Sequence, residues 1–233
     1  MLWVGTSGYN YPEWRGSFYP EEFSAAKMLE YYAARFSTVE INYTFYRLPN
    51  EKTVKEWAAG TPPGFQFTLK ASQRITHKAR LQDCEDLVNV FCQRATLLGP
   101  KLATVLFQMP PYFRLKLDAL ETFVGWLPAG LRAAFEFRHQ SWLCEEVYNV
   151  LRSKNLALCL ADNEKATTPQ VLTADYTYLR LRDEGYDEAG LAAWATTARE
   201  MQKSLKDVYV YFKHEEAGKG PEFARTFLKH AGG

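Results

Sequence analysis

The chain reads as a single (β/α)8 barrel domain over residues 1–233, and three observations predict it. Eight short apolar or β-branched runs recur at intervals of about 20 to 40 residues, the spacing of βα units, because a parallel crossover needs a dozen residues or more. Amphipathic stretches with apolar residues at helical spacing lie between them. Nearly every run ends in polar residues on one face, where a barrel would place its active site.

The elements follow in order. The run Leu2–Thr6 leads into an aromatic-rich loop, Ser7–Pro20, and a helical stretch at Ala25–Phe36. Thr38–Ile41 and Phe65–Leu69 are the second and third strands, and Cys84–Leu98 is the helix after the third. Ala103–Phe107 is followed by Leu117–Trp126, and Ala133–Phe137 by Glu145–Lys154. After Leu156–Ala161 the segment Asn163–Tyr176 is polar and broken by Pro169, so the sixth helix is expected to be short or missing. Tyr178–Leu181 precedes a helix at Ala189–Leu205, and Val208–Phe212 precedes a last helix opening near Pro221, since proline fits a first helical turn. An open doubly wound sheet is the competing topology.

Composition narrows the class. A hydrophobic content of 47% with 24% charged residues suits a globular core and excludes wholesale disorder. Lys and Arg number 28 against 27 Asp and Glu, so no global basic field draws the chain to duplex DNA or anionic lipid. The N-terminus, MLWVGTSGYNYPEW, has neither a basic leader nor a long apolar stretch, so no signal peptide, transmembrane helix or membrane partner is expected. Cys84, Cys92, Cys144 and Cys159 show no metal spacing and read as reduced thiols, which suggests a cytoplasmic protein.

Strand parity then assigns faces, since successive residues point opposite ways. Val39 and Ile41 must meet helices, which turns Glu40 and Asn42 inward. The same rule turns Gly5, Ser7, Thr68, Lys70, Gln108, Glu136, Arg138, Asp162, Arg180, Arg182, Tyr211 and Lys213 inward. Buried ion pairs add little stability over apolar packing, so so many charges in one layer point to a site rather than to scaffolding.

Several segments carry a resemblance. GTSGYNYPEWRGSFYP (Gly5–Pro20), STVEINYTFYRLP (Ser37–Pro49), FTLKASQRITH (Phe67–His77), LFQMPPYF (Leu106–Phe113), FEFRHQSW (Phe135–Trp142) and YLRLRDEGYD (Tyr178–Asp187) resemble the YecE-like family, known as domain of unknown function 72. The resemblance runs from the first strand to the last helix and implies a TIM-type barrel, with no established reaction. Many members of that family read Phe-Asn-Asn after the last strand, where this chain has Phe212-Lys213-His214-Glu215.

The expected function is an enzyme acting on a phosphorylated or otherwise anionic substrate by acid–base or hydrolytic chemistry. Arg138, Arg180, Lys70 and Lys213 would hold the anion, with Arg182 beside them, because Arg offers a planar fork for phosphate or carboxylate. Glu136 or Glu40 would be the base, with Glu136 preferred, and His77 a second acid–base group. Asn42 and Gln108 would orient the reacting group, and Asp162 would line the mouth. Tyr9, Trp14, Phe45 and Trp142 lie on the presumed site side and could stack a ring. Gly218 and Gly220, in Gly218-Lys219-Gly220-Pro221 at the start of the last helix, are candidate phosphate-binding positions. The alternative is a nucleic-acid-binding or nuclease-like barrel that stacks unpaired bases; the third reading is a glycosidase using Glu40 and Glu136. No cofactor is expected, and a divalent metal held by Glu40, Glu136, Asp162 and a histidine is the weaker option, since no HxH or HExxH spacing supports it.

Overall fold

The computed structural model describes residues 1–163 and 166–232. Its strands are β1 (Leu2–Ser7), β2 (Thr38–Ile41), β3 (Gln66–Lys70), β4 (Leu102–Gln108), β5 (Ala133–Glu136), β6 (Ala157–Asn163), β7 (Ala166–Thr167), β8 (Tyr176–Leu181) and β9 (Asp207–Phe212). All except β7 pair in parallel, in the order β5-β4-β3-β2-β1-β9-β8-β6, and β5 pairs with β6 to close the ring. The protein is therefore a closed eight-stranded (β/α)8 barrel. The open doubly wound alternative would have left β5 and β6 as unpaired edges. The two-residue β7 folds back antiparallel on the end of β6.

The helices are α1 (Met28–Ala33), α2 (Tyr43–Tyr46), α3 (Glu51–Ala59), α4 (Glu85–Thr96), α5 (Leu117–Gly125), α6 (Glu145–Ser153), α7 (Glu188–Gln202) and α8 (Lys219–His230). The predicted helix Ala25–Phe36 is a 3-10 turn, Ala25–Lys27, running into the shorter α1. Two helices, α2 and α3, occupy the β2–β3 connection, where the sequence analysis assigned none; Asn50 caps α3 by accepting the Thr53 N–H at 2.8 Å. Among the described residues no helix joins β6 to β8. Glu164 and Lys165 of that segment lie outside the described residues. The Thr173 hydroxyl instead stitches the connection to β6, donating to the Leu156 carbonyl at 2.7 Å and accepting the Leu158 N–H at 2.8 Å.

The apolar layer between barrel and helices holds Val39 and Ile41, which parity turned outward, together with Phe67, Phe107, Phe135, Leu179 and Val210. The barrel interior is different in kind. Tyr176, Tyr178, Tyr209 and Tyr211 fill it opposite the small side chains of Ala134, Ala157, Cys159 and Ala161, so large rings meet small partners. Each phenol finds a polar partner, as buried hydroxyls must. Tyr211 Oη lies 2.7 Å from Thr38 Oγ1 and 2.9 Å from Thr68 Oγ1, while Tyr176 donates to the Ala133 carbonyl at 2.9 Å. At the amino end of the barrel Asp207 accepts from Trp3 Nε1 at 2.9 Å and from Arg132 Nη1 at 2.6 Å, closing that mouth.

The β1–β2 seam has an inserted joint. The Tyr32 hydroxyl, from α1, accepts the Thr6 N–H at 2.8 Å and donates to the Thr38 carbonyl at 3.0 Å. The Thr38 carbonyl lies so close to Gly5 that any Cβ there would collide with it, which accounts for glycine on a strand.

Candidate functional site

The carboxyl ends of β1, β2, β4, β5 and β8 converge on one buried polar cluster. Register places Ser7 beside Glu40 and Gln108 beside Glu136. Arg180, only 1% exposed, reaches across from β8 and joins the two glutamates. Its Nε donates to both Glu40 oxygens at 3.1 and 3.0 Å, Nη2 donates to Glu40 Oε1 at 2.9 Å, and Nη1 donates to Glu136 Oε2 at 3.4 Å. Glu40 also accepts from the Ser7 hydroxyl and, at 2.5 Å, from Tyr178. Burial alone would raise the pKa of Glu40, but Arg180, Ser7 and Tyr178 outweigh it and hold the carboxyl at about 2. Glu40 is thus ionised at neutral pH, with both oxygens engaged.

Glu136 is placed differently. Oε2 accepts from Gln108 at 2.8 Å as well as from Arg180, whereas Oε1 is buried without a hydrogen-bond partner. Arg138 Nε and Arg182 Nη2 each stand 3.8 Å from that oxygen, within ion-pair range but beyond hydrogen-bonding distance. Burial works against ionisation of Glu136, and Arg180, Arg182, Gln108 and Arg138 together still lower its pKa. Arg182 Nε and Asn42 Oδ1 are buried without partners too. Glu136, Arg138 and Arg182 line a cleft of about 290 Å³ shared with Pro111, His139 and Thr168.

Lys70 ends β3 on the same side and is 8% exposed, with Nζ 4.2 Å from the centroid of the Phe45 ring. Burial, then the Arg180 charge, lowers its pKa to about 8. His77 sits on a π-helical turn, Arg74–Lys78, and packs edge-on to Phe45 at 5.0 Å. Burial, Lys70 and Arg138 lower its pKa, so the imidazole is neutral at pH 7. Asn42 donates to Ser7 Oγ at 2.7 Å. Lys213 pairs with Glu215 at 2.9 Å.

Other expected site residues stand elsewhere. Asp162 does not face the mouth: Ala161 and Cys159 take the inward face of β6, and Asp162 accepts the Arg182 N–H at 2.8 Å and the Tyr186 hydroxyl. The donor set imagined for a metal therefore does not converge, and no group of three His, Cys, Asp or Glu among the described residues could hold an ion. Trp14 and Trp142 are fully buried, so neither presents a ring to a ligand. Trp14 Nε1 donates to the Glu215 carbonyl at 2.8 Å, and Trp142 stacks on Phe137 with centroids 4.6 Å apart. Tyr9 packs near Tyr32 and lines a surface groove with Trp57, away from the cluster. Gly218, with φ +78°, lies against Ser17, and a Cβ on Gly220 would stand 2.7 Å from the His214 carbonyl. Close packing against the first loop and the β9 end accounts for both glycines. Sequence reasoning passed over Tyr178, which supports Glu40, and Tyr11, whose hydroxyl donates to the Ser7 carbonyl at 2.9 Å. The inward parity of Tyr178, shared with Arg180, was the available signal. His214 ties Nε2 to the Asp183 carbonyl at 2.8 Å and packs on Phe223.

No helix among the described residues is long and apolar enough to cross a membrane. The family model described as "Protein of unknown function DUF72" matches residues 3–233. The UPF0759 protein YunF of Bacillus subtilis is 25% identical over 98% of this chain and 94% of its own. The UPF0759 protein YecE of Escherichia coli K12 is 32% identical over 62% of this chain and 51% of its own. Among solved structures, a DUF72 family protein of Thermotoga maritima superposes with a TM-score of 0.85 at 28% identity, covering both chains in full at 100%. One from Enterococcus faecalis gives 0.84 at 19% identity, covering 100% of this chain and 96% of that one.

Proposed function

The chain belongs to the DUF72 family, for which no specific activity is established, and from that premise we propose that it is an enzyme. Its substrate would be phosphorylated or otherwise anionic, and its chemistry acid–base or hydrolytic at the carboxyl face of the barrel. One observation carries this reading: Glu136 Oε1 and Arg182 Nε are buried without hydrogen-bond partners at the edge of an arginine-lined cleft. A buried polar atom left unpaired costs about 1–3 kcal/mol, so a bound molecule that donates to Glu136 and accepts from Arg182 removes two such costs.

Arg138 and Arg182 hold the anion. Arg180 is excluded from that role because Glu40, Ser7 and Glu136 occupy its guanidinium. Glu136, kept ionised by three arginines, accepts a proton or a substrate hydroxyl through Oε1. His77, neutral at pH 7, serves as the second proton carrier. The glycosidase reading loses support because Glu40 and Glu136 are both held below the ordinary carboxylate range, so neither keeps a proton to give a leaving group.

Phosphate and sulfate should raise the melting temperature above the effect of chloride at matched ionic strength, since a ligand of the native state stabilises it by mass action. Arg138→Ala should remove most of that gain while leaving the melt in chloride nearly unchanged, because Arg138 is partly exposed and its ion pair is long. Equal shifts in sulfate and chloride would refute the anion site.

A further inference from the structure

Every arginine of the mouth has a carboxylate among the described residues. Arg180 has Glu40 at 2.9 Å, and Arg138 and Arg182 have Glu136 at 3.8 Å. Lys213 has Glu215. Lys70 has neither an ion pair nor a side-chain hydrogen bond among the described residues; its ammonium meets the face of Phe45. Its backbone is fixed, since the Lys70 carbonyl accepts the Thr44 hydroxyl at 2.7 Å and the next N–H, of Ala71, donates to Leu106 at 2.8 Å. The ring face favours the ammonium, but burial and the neighbouring Arg180 outweigh it, and an amine buried at the end of a fixed strand with no carboxylate partner among the described residues is suited to act uncharged.

We propose that Lys70 is the nucleophile of this site, condensing with the aldehyde or ketone of an anionic carbonyl compound whose phosphate or carboxylate Arg138 and Arg182 hold. The proposal rests on the anion-site reading above and names its substrate class. In the step, the ε-amine nitrogen bonds to the carbonyl carbon, the C=O bond breaks, and the oxygen leaves as water with both amine protons. No oxidant or reductant enters. The resulting imine, once protonated, draws electrons from the neighbouring carbon and so lowers the barrier to removing a proton or a carbon fragment there.

The charged and titratable groups around the amine agree with this role. Burial, Arg180 and Lys213 disfavour the ammonium, Glu40 and Glu136 oppose them, and His77 stands close enough to feel the same charge. With the pKa at about 8, roughly a tenth of Lys70 is uncharged at pH 7, against about 0.04% for an ordinary lysine.

Pyridoxal 5′-phosphate, a phosphorylated aldehyde, tests the proposal: brief exposure at pH 7, borohydride reduction of the imine, then peptide mapping. Lys70 should be modified at least about tenfold faster than the exposed Lys52 and Lys203, following its larger uncharged fraction. Inorganic phosphate should slow that labelling, and pyridoxal without phosphate should be slower still. Arg138→Ala should abolish the difference between the two aldehydes while sparing labelling by pyridoxal. Labelling of Lys70 no faster than that of Lys52 and Lys203, in protein that phosphate still stabilises, would overturn the nucleophile and leave the anion site standing. Fast labelling of Lys70 that is indifferent to phosphate on either aldehyde would overturn the substrate class.

Discussion

Glu40 commits both carboxylate oxygens to the scaffold, through Arg180, Ser7 and Tyr178, whereas Glu136 keeps one oxygen open to the cleft. The same substitution should therefore act differently at the two positions. Glu40→Gln leaves Arg180 without its bidentate partner and should cost about 3–5 kcal/mol in denaturant unfolding, as breaking a buried pair does. Glu136→Gln leaves Arg180 paired with Glu40 but takes the carboxylate from Arg138 and Arg182, which stand at 3.8 Å, and should cost less than the change at Glu40, about 1–3 kcal/mol. The Glu136 variant should also keep or strengthen its stabilisation by phosphate, because a negative charge leaves the cleft, and should lose turnover. Glu40, Lys70, Glu136 and Arg138 were legible because apolar neighbours such as Val39, Ile41, Leu69 and Phe137 fixed their parity. Asp162 was not: in Leu158-Cys159-Leu160-Ala161 both alternating sets are apolar, so polarity carries no sign of which face turns inward.

At the scale of elements, the β1–β2 seam depends on a side chain borrowed from a helix. Tyr32 supplies a hydroxyl between the Thr6 N–H and the Thr38 carbonyl, completing a ladder that the backbone alone leaves open. Tyr32→Phe should strand both groups in a fully buried place and cost about 2–4 kcal/mol, read as a lower denaturant midpoint with an unchanged slope. The strands were easy to find because each is a short apolar run on a regular interval. The helices after β2 were not, since α2 is a single turn and α3 buries only Val54 and Trp57, too few for a periodic pattern. The aromatic loop was legible as an element, but not which of its rings are buried: ring identity says nothing about whether Trp14 faces ligand or core.

Over the whole molecule, Arg180 ties β8 to β2 and β5 across the barrel, so stability should follow the protonation of that layer. Glu40, held at about 2 in the fold, and Glu136, also lowered, contribute stability present above the ordinary glutamate range and lost as pH falls toward 2. Lys70 acts in the other direction. Its pKa of about 8 means the unfolded chain binds more protons between about 8 and the ordinary lysine value, so its contribution grows as pH rises through that window. Denaturant titrations should therefore show stability falling steadily below pH 4.5 and a small rise from pH 8 to 9.5 that Lys70→Met abolishes. Above about pH 10 the buried tyrosines reverse the trend, because Tyr178 and Tyr211 stay protonated in the fold while unfolded tyrosines ionise. The sequence by itself determined the alternation of strands and helices and the polar inner layer at the strand ends, since both follow from local periodicity. Only the tertiary structure decided which of those charges are spoken for. Glu40 and Arg180 are 140 residues apart, and no local pattern records that their pairing leaves Lys70, at the same mouth, without a carboxylate partner among the described residues.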